Sequence, residues 1–151
     1  MLKEMMAGTV LAALAFGGVA MAAEVQVKML NKGADGAMVF EPALVTIEPG
    51  DTVKFIATDK GHNAETVAGM APDGAKPFVG KINEELAVTF DEPGVYGIKC
   101  KPHYAMGMVA LVVVGKPENA DKALAVTHPG RAKQVFATLF GRATPTLAAA
   151  K

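Results

Sequence analysis

The stretch VYGIKCKPHYAMGMVALVVV, Val95 to Val114, reads as a strand, a loop and a second strand. Tyr96, Ile98 and Cys100 share parity, so a core-facing Ile98 brings Cys100 inward with it while Lys99 points out. Val109 to Val114 is apolar at every position, the pattern of a central strand buried on both faces. Between the strands, Lys99 to Met108 holds the single cysteine, one of three histidines and two of nine methionines. A thiolate, an imidazole and a thioether on one short loop are soft and borderline ligands, a mixture that favours copper over magnesium, calcium or manganese.

Upstream, Glu24 to Leu30 alternates Val25, Val27 and Met29 with Glu24, Gln26 and Lys28, the period of a half-buried strand. Asn31 to Gly36 carries turn chemistry. Met38 to Phe40 and Ala43 to Ile47 read as short strands on either side of Glu41-Pro42, and Glu48-Pro49-Gly50-Asp51 turns the chain into a strand from Thr52 to Ala57. Leu86, Val88 and Phe90 mark another, and Asp91-Glu92-Pro93-Gly94 leads into Val95. The set reads as short antiparallel strands. From Thr58 to about Lys81 the alternation fails under Gly61, Gly69, Pro72, Gly74, Pro77 and Gly80. Such a long irregular excursion, with room for a turn or short helix, tends to serve function. It opens on Gly61-His62-Asn63.

Beyond Gly115 the pattern changes to helix. Pro117 opens a short helix through about Val126, and Pro129 a second through Phe140, with Gly141 as its stop. Ala132, Val135, Phe136, Leu139 and Phe140 fall on one stripe that must pack against the sheets, whereas the tail from Arg142 has little to bury. The expected fold class is mainly β: a Greek-key β-sandwich with two C-terminal α-helices, from about residue 117, packed on it.

At 151 residues the chain suits one domain with a sizeable core. Its start reads differently. Lys3, the apolar run Ala7 to Val19 and the small-x-small Ala20-Met21-Ala22 match a secretory leader, so residues 1–22 are expected to leave as a signal peptide and 23–151 to form the domain. An uncleaved anchor is the alternative, but the run falls short of the ~20 apolar residues of a spanning helix and contains Gly17 and Gly18. The expected address is a bacterial periplasm. In that oxidising space a lone cysteine is an intermolecular disulfide, an inert core thiol or a metal ligand. Basic and acidic residues balance at 15 each, and each total falls by one when Lys3 and Glu4 leave with the leader. The bulk electrostatic case for nucleic acid is thereby removed. No second apolar segment of spanning length follows Ala22, and a monomer is the default.

Four positions compose a candidate copper site: His62, Cys100, His103 and Met108. Two imidazoles and a thiolate, with a thioether as a weak, long axial ligand, are the set found in blue-copper electron transfer. The set compromises between the tetragonal nitrogen and oxygen preference of Cu(II) and the soft, low-coordinate preference of Cu(I), so an electron moves with little rearrangement. Spacing leaves Met106 as a competing axial candidate. Met38 reads as packing, and His128, before Pro129, as a helix-entry residue. Asn63 is placed to tie the His62 loop to the Cys100 loop. Pro102 has no N–H and cannot donate to the thiolate two residues back. Two other readings exist. An enzyme with Cys100 as nucleophile and His103 as base lacks an oxyanion-hole signature. A copper carrier, with metal as cargo, needs an open and exchangeable site.

Cys-x2-His-x4-Met before a strand, with His-Asn upstream, resembles the cupredoxins. Met29-Leu30-Asn31-Lys32-Gly33, Gly36-Ala37-Met38-Val39-Phe40-Glu41-Pro42, Asp59-Lys60-Gly61-His62-Asn63 and Pro102-His103-Tyr104-Ala105-Met106-Gly107-Met108 are similar to the pseudoazurin family, as are the two C-terminal helices. The resemblance implies a cupredoxin-like sandwich and one type 1 copper on His62, Cys100, His103 and Met108, with Met108 rather than Met106 axial. It implies an electron carrier rather than an enzyme, with nitrite reductase or nitrous oxide reductase as acceptor and a c-type cytochrome as donor in denitrification. His103 is expected to reach the surface through an apolar patch that includes Met106. Lys32, Lys60, Lys99 and Lys101 are expected to ring it and steer acidic redox proteins. Lys101 stands where many relatives are expected to carry a small hydroxyl residue, a departure that leaves ligation intact and bears on partner binding.

Overall fold

The computed structural model describes residues 20–149, and the signal-peptide reading, apart from Ala20 to Ala22, lies outside the described residues. The strands are β1 Glu24–Gly33, β2 Gly36–Glu41, β3 Leu44–Ile47, β4 Asp51–Ile56, β5 Glu65–Thr66, β6 Leu86–Phe90, β7 Gly94–Lys99 and β8 Val109–Val114. The helices α1 Ala120–Leu124 and α2 Ala132–Ala149 follow. Two four-stranded sheets form, in the orders β2-β1-β4-β6 and β3-β8-β7-β5. The mainly β sandwich with C-terminal helices is therefore present. Among the described residues no helix is long and apolar enough to cross a membrane.

Alternation builds the space between the sheets. Val27 and Met29 of β1, Val53 and Phe55 of β4, Phe90 of β6, and Tyr96 and Ile98 of β7 point into one core with Ala110, Val112 and Val114 of β8. The intervening residues of β8, Val109, Leu111 and Val113, point the other way, into a second cluster with Phe136, Leu139 and Phe140 of α2. This second layer is why β8 is buried at every position. Burying each such large apolar side chain contributes roughly 1.5–3 kcal/mol, which fixes β8 as the shared wall of both cores.

The expected all-antiparallel pairing is corrected in two places. β1 pairs with β4 in parallel, and β3 with β8 in parallel, each joining strands on either side of a sheet crossing. The turn expected from Asn31 is shorter, because β1 runs to Gly33 and pairs with β2 up to Gly36, leaving only Ala34 and Asp35 between them. The excursion after Thr58 holds no helix; it contains the two-residue β5 and an isolated bridge from Glu65 to Val79.

Both helices differ from their expected bounds. α1 starts three residues after Pro117 and lacks a side-chain cap, because the Asn119 amide is spent on the backbone of Val95, accepting its N–H at 2.7 Å and donating to its carbonyl at 2.9 Å. α2 continues past Gly141 to Ala149. The apolar stripe extends with it: Ala143 is buried and Leu147 packs on the same cluster. Gly141 and Pro145 are exposed, so water can serve the carbonyl that Pro145 leaves without an N–H, and the glycine costs only about 1 kcal/mol relative to alanine.

Candidate metal centre

β7 delivers Cys100 to the inner end of the sandwich, where it is fully buried. The chain then forms a short 3-10 turn, Lys101–His103, with Pro102 inside it. Backbone bonds close the loop on itself: His103 N–H to Cys100 O at 3.2 Å, Met108 N–H to His103 O at 3.2 Å, and Cys100 N–H to Met108 O at 3.0 Å. The last of these sets Met108, 0% exposed, beside the cysteine at the start of β8. Met106 is 50% exposed and lies on the surface instead.

His62 arrives from the other side of the sandwich on the loop after β4. Asn83 pins that loop at two points, accepting the Gly61 N–H at 2.7 Å through its side chain and donating its own N–H to His62 O at 2.9 Å. Gly61 adopts φ +93°, a left-handed turn that favours glycine. The fully buried His62 ring then faces the half-buried His103 ring, with centroids 4.9 Å apart.

The ligating atoms converge. His62 Nδ1 and His103 Nδ1 are 3.1 Å apart, and Cys100 Sγ lies 3.7 Å from the first and 3.5 Å from the second. The ligating atoms of His62, Cys100 and His103 are thus brought to one place, and Met108, buried in the same core cluster as Cys100, completes one candidate copper site. The donor set fits that metal: two imidazole nitrogens, one thiol sulfur and one thioether sulfur are soft or borderline donors. When bound, copper supplies one-electron chemistry, and the protein's part is to hold these donors. Burial pushes the Cys100 thiol up, against the backbone N–H groups of Asn63 and His103, while burial and the neighbouring His103 push His62 down. Without a cation both groups are therefore kept neutral, and Cys100 would have to give up its thiol proton to serve a metal as a thiolate donor.

The surrounding residues orient the donors. Asn63 carries out the tie expected of it: its Oδ1 accepts the Lys101 N–H at 2.8 Å, and its Nδ2 donates to Glu65 Oε2 and to Gly80 O, each at 3.0 Å. Glu65, only 7% exposed, uses its other oxygen on Lys99 Nζ at 3.4 Å. Lys99 is consequently half-buried rather than fully outward as its strand parity implies, and its Nζ also sits 4.8 Å from the Tyr104 ring centroid. Lys32, Lys60 and Lys101 are exposed. So are Pro102, Ala105 and Met106, which share the loop of half-buried His103.

Sequence reading missed Asn31. Its Oδ1 lies 2.8 Å from His62 Nε2, and its own N–H donates to Asp59 Oδ2 at 2.7 Å. The only local signal was an asparagine at the end of an alternating strand. Asn83 was missed too, although an asparagine inside a Gly- and Pro-rich loop is a usual occupant of the left-handed conformation it adopts, φ +66°.

The chain matches the family model of copper binding proteins, plastocyanin/azurin family, over residues 27–115. It is 60% identical over 110 residues to a pseudoazurin of Methylorubrum extorquens, covering 72% of this chain and 74% of that one. To a pseudoazurin of Paracoccus pantotrophus it is 48% identical over 135 residues, covering 89% and 93%. Among solved structures, pseudoazurin from Methylobacterium extorquens AM1 aligns with a TM-score of 0.71 at 52% identity, over 85% of this chain and 99% of that one. Native pseudoazurin from Hyphomicrobium denitrificans gives 0.76 at 44%, over 79% and 97%. The matched span contains all four residues of the candidate site, and the chain belongs to the pseudoazurins, copper electron-transfer proteins of the plastocyanin/azurin family.

Proposed function

We propose that this chain is a periplasmic type 1 copper electron carrier, monomeric after loss of its leader, that takes one electron from a c-type cytochrome and delivers it to nitrite reductase or another denitrification enzyme. One observation carries the reading: His62 Nδ1, Cys100 Sγ and His103 Nδ1 lie 3.1–3.7 Å from one another beside a fully buried Met108. Three of these four residues are buried, which suits a fixed cofactor better than exchangeable cargo. His103 alone reaches the surface, so it is the door for the electron. Lys32, Lys60 and Lys101 are exposed, and a lysine ring around that edge would suit brief, charge-steered docking of an acidic partner. Lys99 contributes less to such a ring, since Glu65 neutralises it.

The test is the visible spectrum of the protein loaded with Cu(II), before and after ascorbate. An intense thiolate-to-copper band that bleaches on reduction and returns with oxidant is expected. A colourless product, or weak copper absorption alone, overturns ligation by Cys100. Transfer of the metal to a chelator within minutes rather than days would replace the electron carrier by a copper carrier.

A further inference from the structure

The segment joining the helices grips the ligand loop at successive residues. Tyr104 follows His103 directly, and its hydroxyl lies 2.7 Å from His128 Nδ1. The His128 ring rests on Phe136 of α2, with centroids 4.3 Å apart and 34° between planes. The Ala105 carbonyl accepts the Arg131 N–H at 2.9 Å, and Gly130 approaches so closely that a Cβ there would stand 2.5 Å from the same oxygen. On the other side, Lys99 sits against the Tyr104 ring and is itself held by Glu65.

Of the three converging ligands, His62 and Cys100 are fixed inside the sandwich, whereas His103 is half-exposed on a short turn whose other members, Lys101 and Pro102, are exposed. The position of its ring therefore depends on what holds the loop beyond it. Fast electron exchange requires that the donors move little between oxidation states. We propose that Tyr104 and His128 are a positioning pair for the metal site, through which the C-terminal helices hold the His103 loop and limit its movement during electron transfer. The inference rests on the electron-carrier reading, and it gives His128 a role beyond helix entry.

Three variants test it. Tyr104→Phe deletes one oxygen and keeps the ring, His128→Leu deletes the partner nitrogen, and His128→Gln keeps a side-chain amide for the hydroxyl. In the copper-free protein, hydrogen exchange is followed at the amides of Gly107 and Arg131, which donate to Tyr104 O and Ala105 O. Exchange is expected to be about five- to tenfold faster in Y104F and H128L, the factor set by one net hydrogen bond, and to return toward the parent in H128Q. In the copper form the midpoint potential of the same two variants is expected to rise and electron self-exchange to slow, because a freer loop relaxes toward the softer, lower coordination of the reduced metal. Unchanged exchange in Y104F and H128L overturns the clamp. Faster exchange with an unmoved midpoint makes the pair a structural strut and overturns the positioning role. The parent spectrum is recorded first: loss of the functional reading shows there as a missing thiolate band, whereas failure of the clamp shows in the copper-free exchange.

Discussion

Asn31 Oδ1 lies 2.8 Å from His62 Nε2, on the side of the imidazole away from Cys100. Because an amide oxygen only accepts, it holds the proton on Nε2 and leaves the Nδ1 lone pair for a metal. Asn31→Leu removes that acceptor while roughly keeping the volume. The expected result is a loss of about 10- to 100-fold in copper affinity, the usual effect of removing such a partner, measured by competition with a chelator. An unchanged affinity would mean that packing alone orients His62.

Asn63 ties both ligand loops with one side chain, and it is 3% exposed. Replacing it by alanine strands the buried Gly80 carbonyl and one oxygen of Glu65, and frees the Lys101 N–H. Leaving such groups unpaired is expected to destabilise the copper-free protein by about 2–3 kcal/mol in denaturant unfolding. A loss below about 0.5 kcal/mol would show that water replaces the amide.

These two asparagines mark where sequence reading succeeds and where it stops. Asn63 is adjacent to a ligand, so its role follows from position, and Cys100, His103 and Met108 sit on one loop with parity to place the cysteine inward. Asn31 meets His62 only after the chain has passed through three strands, a separation of 31 residues that no local pattern records. The parallel β1–β4 and β3–β8 pairings were hidden for the same reason: alternation tells which face is buried, not which strand lies alongside. At α2 the local rule was overruled, since a glycine and a proline signal a stop but the buried Ala143 and packed Leu147 reward continuation.

Pro102 lies in the turn immediately after the cysteine and offers no N–H to the sulfur. The backbone N–H groups of Asn63 and His103 already favour the charged thiolate. Pro102→Ala adds a donor or admits water, either of which stabilises the thiolate further and weakens its donation to the oxidised metal. The midpoint potential is expected to rise in voltammetry. A lowered or unchanged value would remove the missing proline donor as a control on the potential.

Lys60 and Lys99 separate docking from stability. Lys60 is exposed, and Lys60→Ala is expected to slow the bimolecular rate with an acidic redox protein and flatten its salt dependence while stability stays within about 0.5 kcal/mol. Lys99→Ala instead leaves the nearly buried Glu65 without its cation. Its partly exposed geometry reduces the penalty of a broken buried pair to about 1–2 kcal/mol, read in thermal or denaturant unfolding. Equal stability losses in the two variants would contradict this division.

Tyr96 gives the chain an alkaline limit. Its hydroxyl donates to Glu92 O at 2.7 Å, and burial, with Glu92 and Asp91 nearby, pushes its pKa from 10.0 up to about 12. Folding thus favours the protonated phenol. The stability this contributes is fully present below the ordinary tyrosine pKa near 10 and is lost as pH climbs through about 12, where the folded state must ionise as well. Burial also raises Tyr104, so absorbance alone does not separate the two phenols. Tyr96→Phe does: it should cost about 1 kcal/mol at neutral pH by leaving the Glu92 carbonyl without this donor, and the remaining stability should fall less steeply between pH 10 and 12 than in the parent. Unfolding free energy measured across that window in both proteins decides the matter, and parallel curves would place the alkaline loss at Tyr104 or at another group.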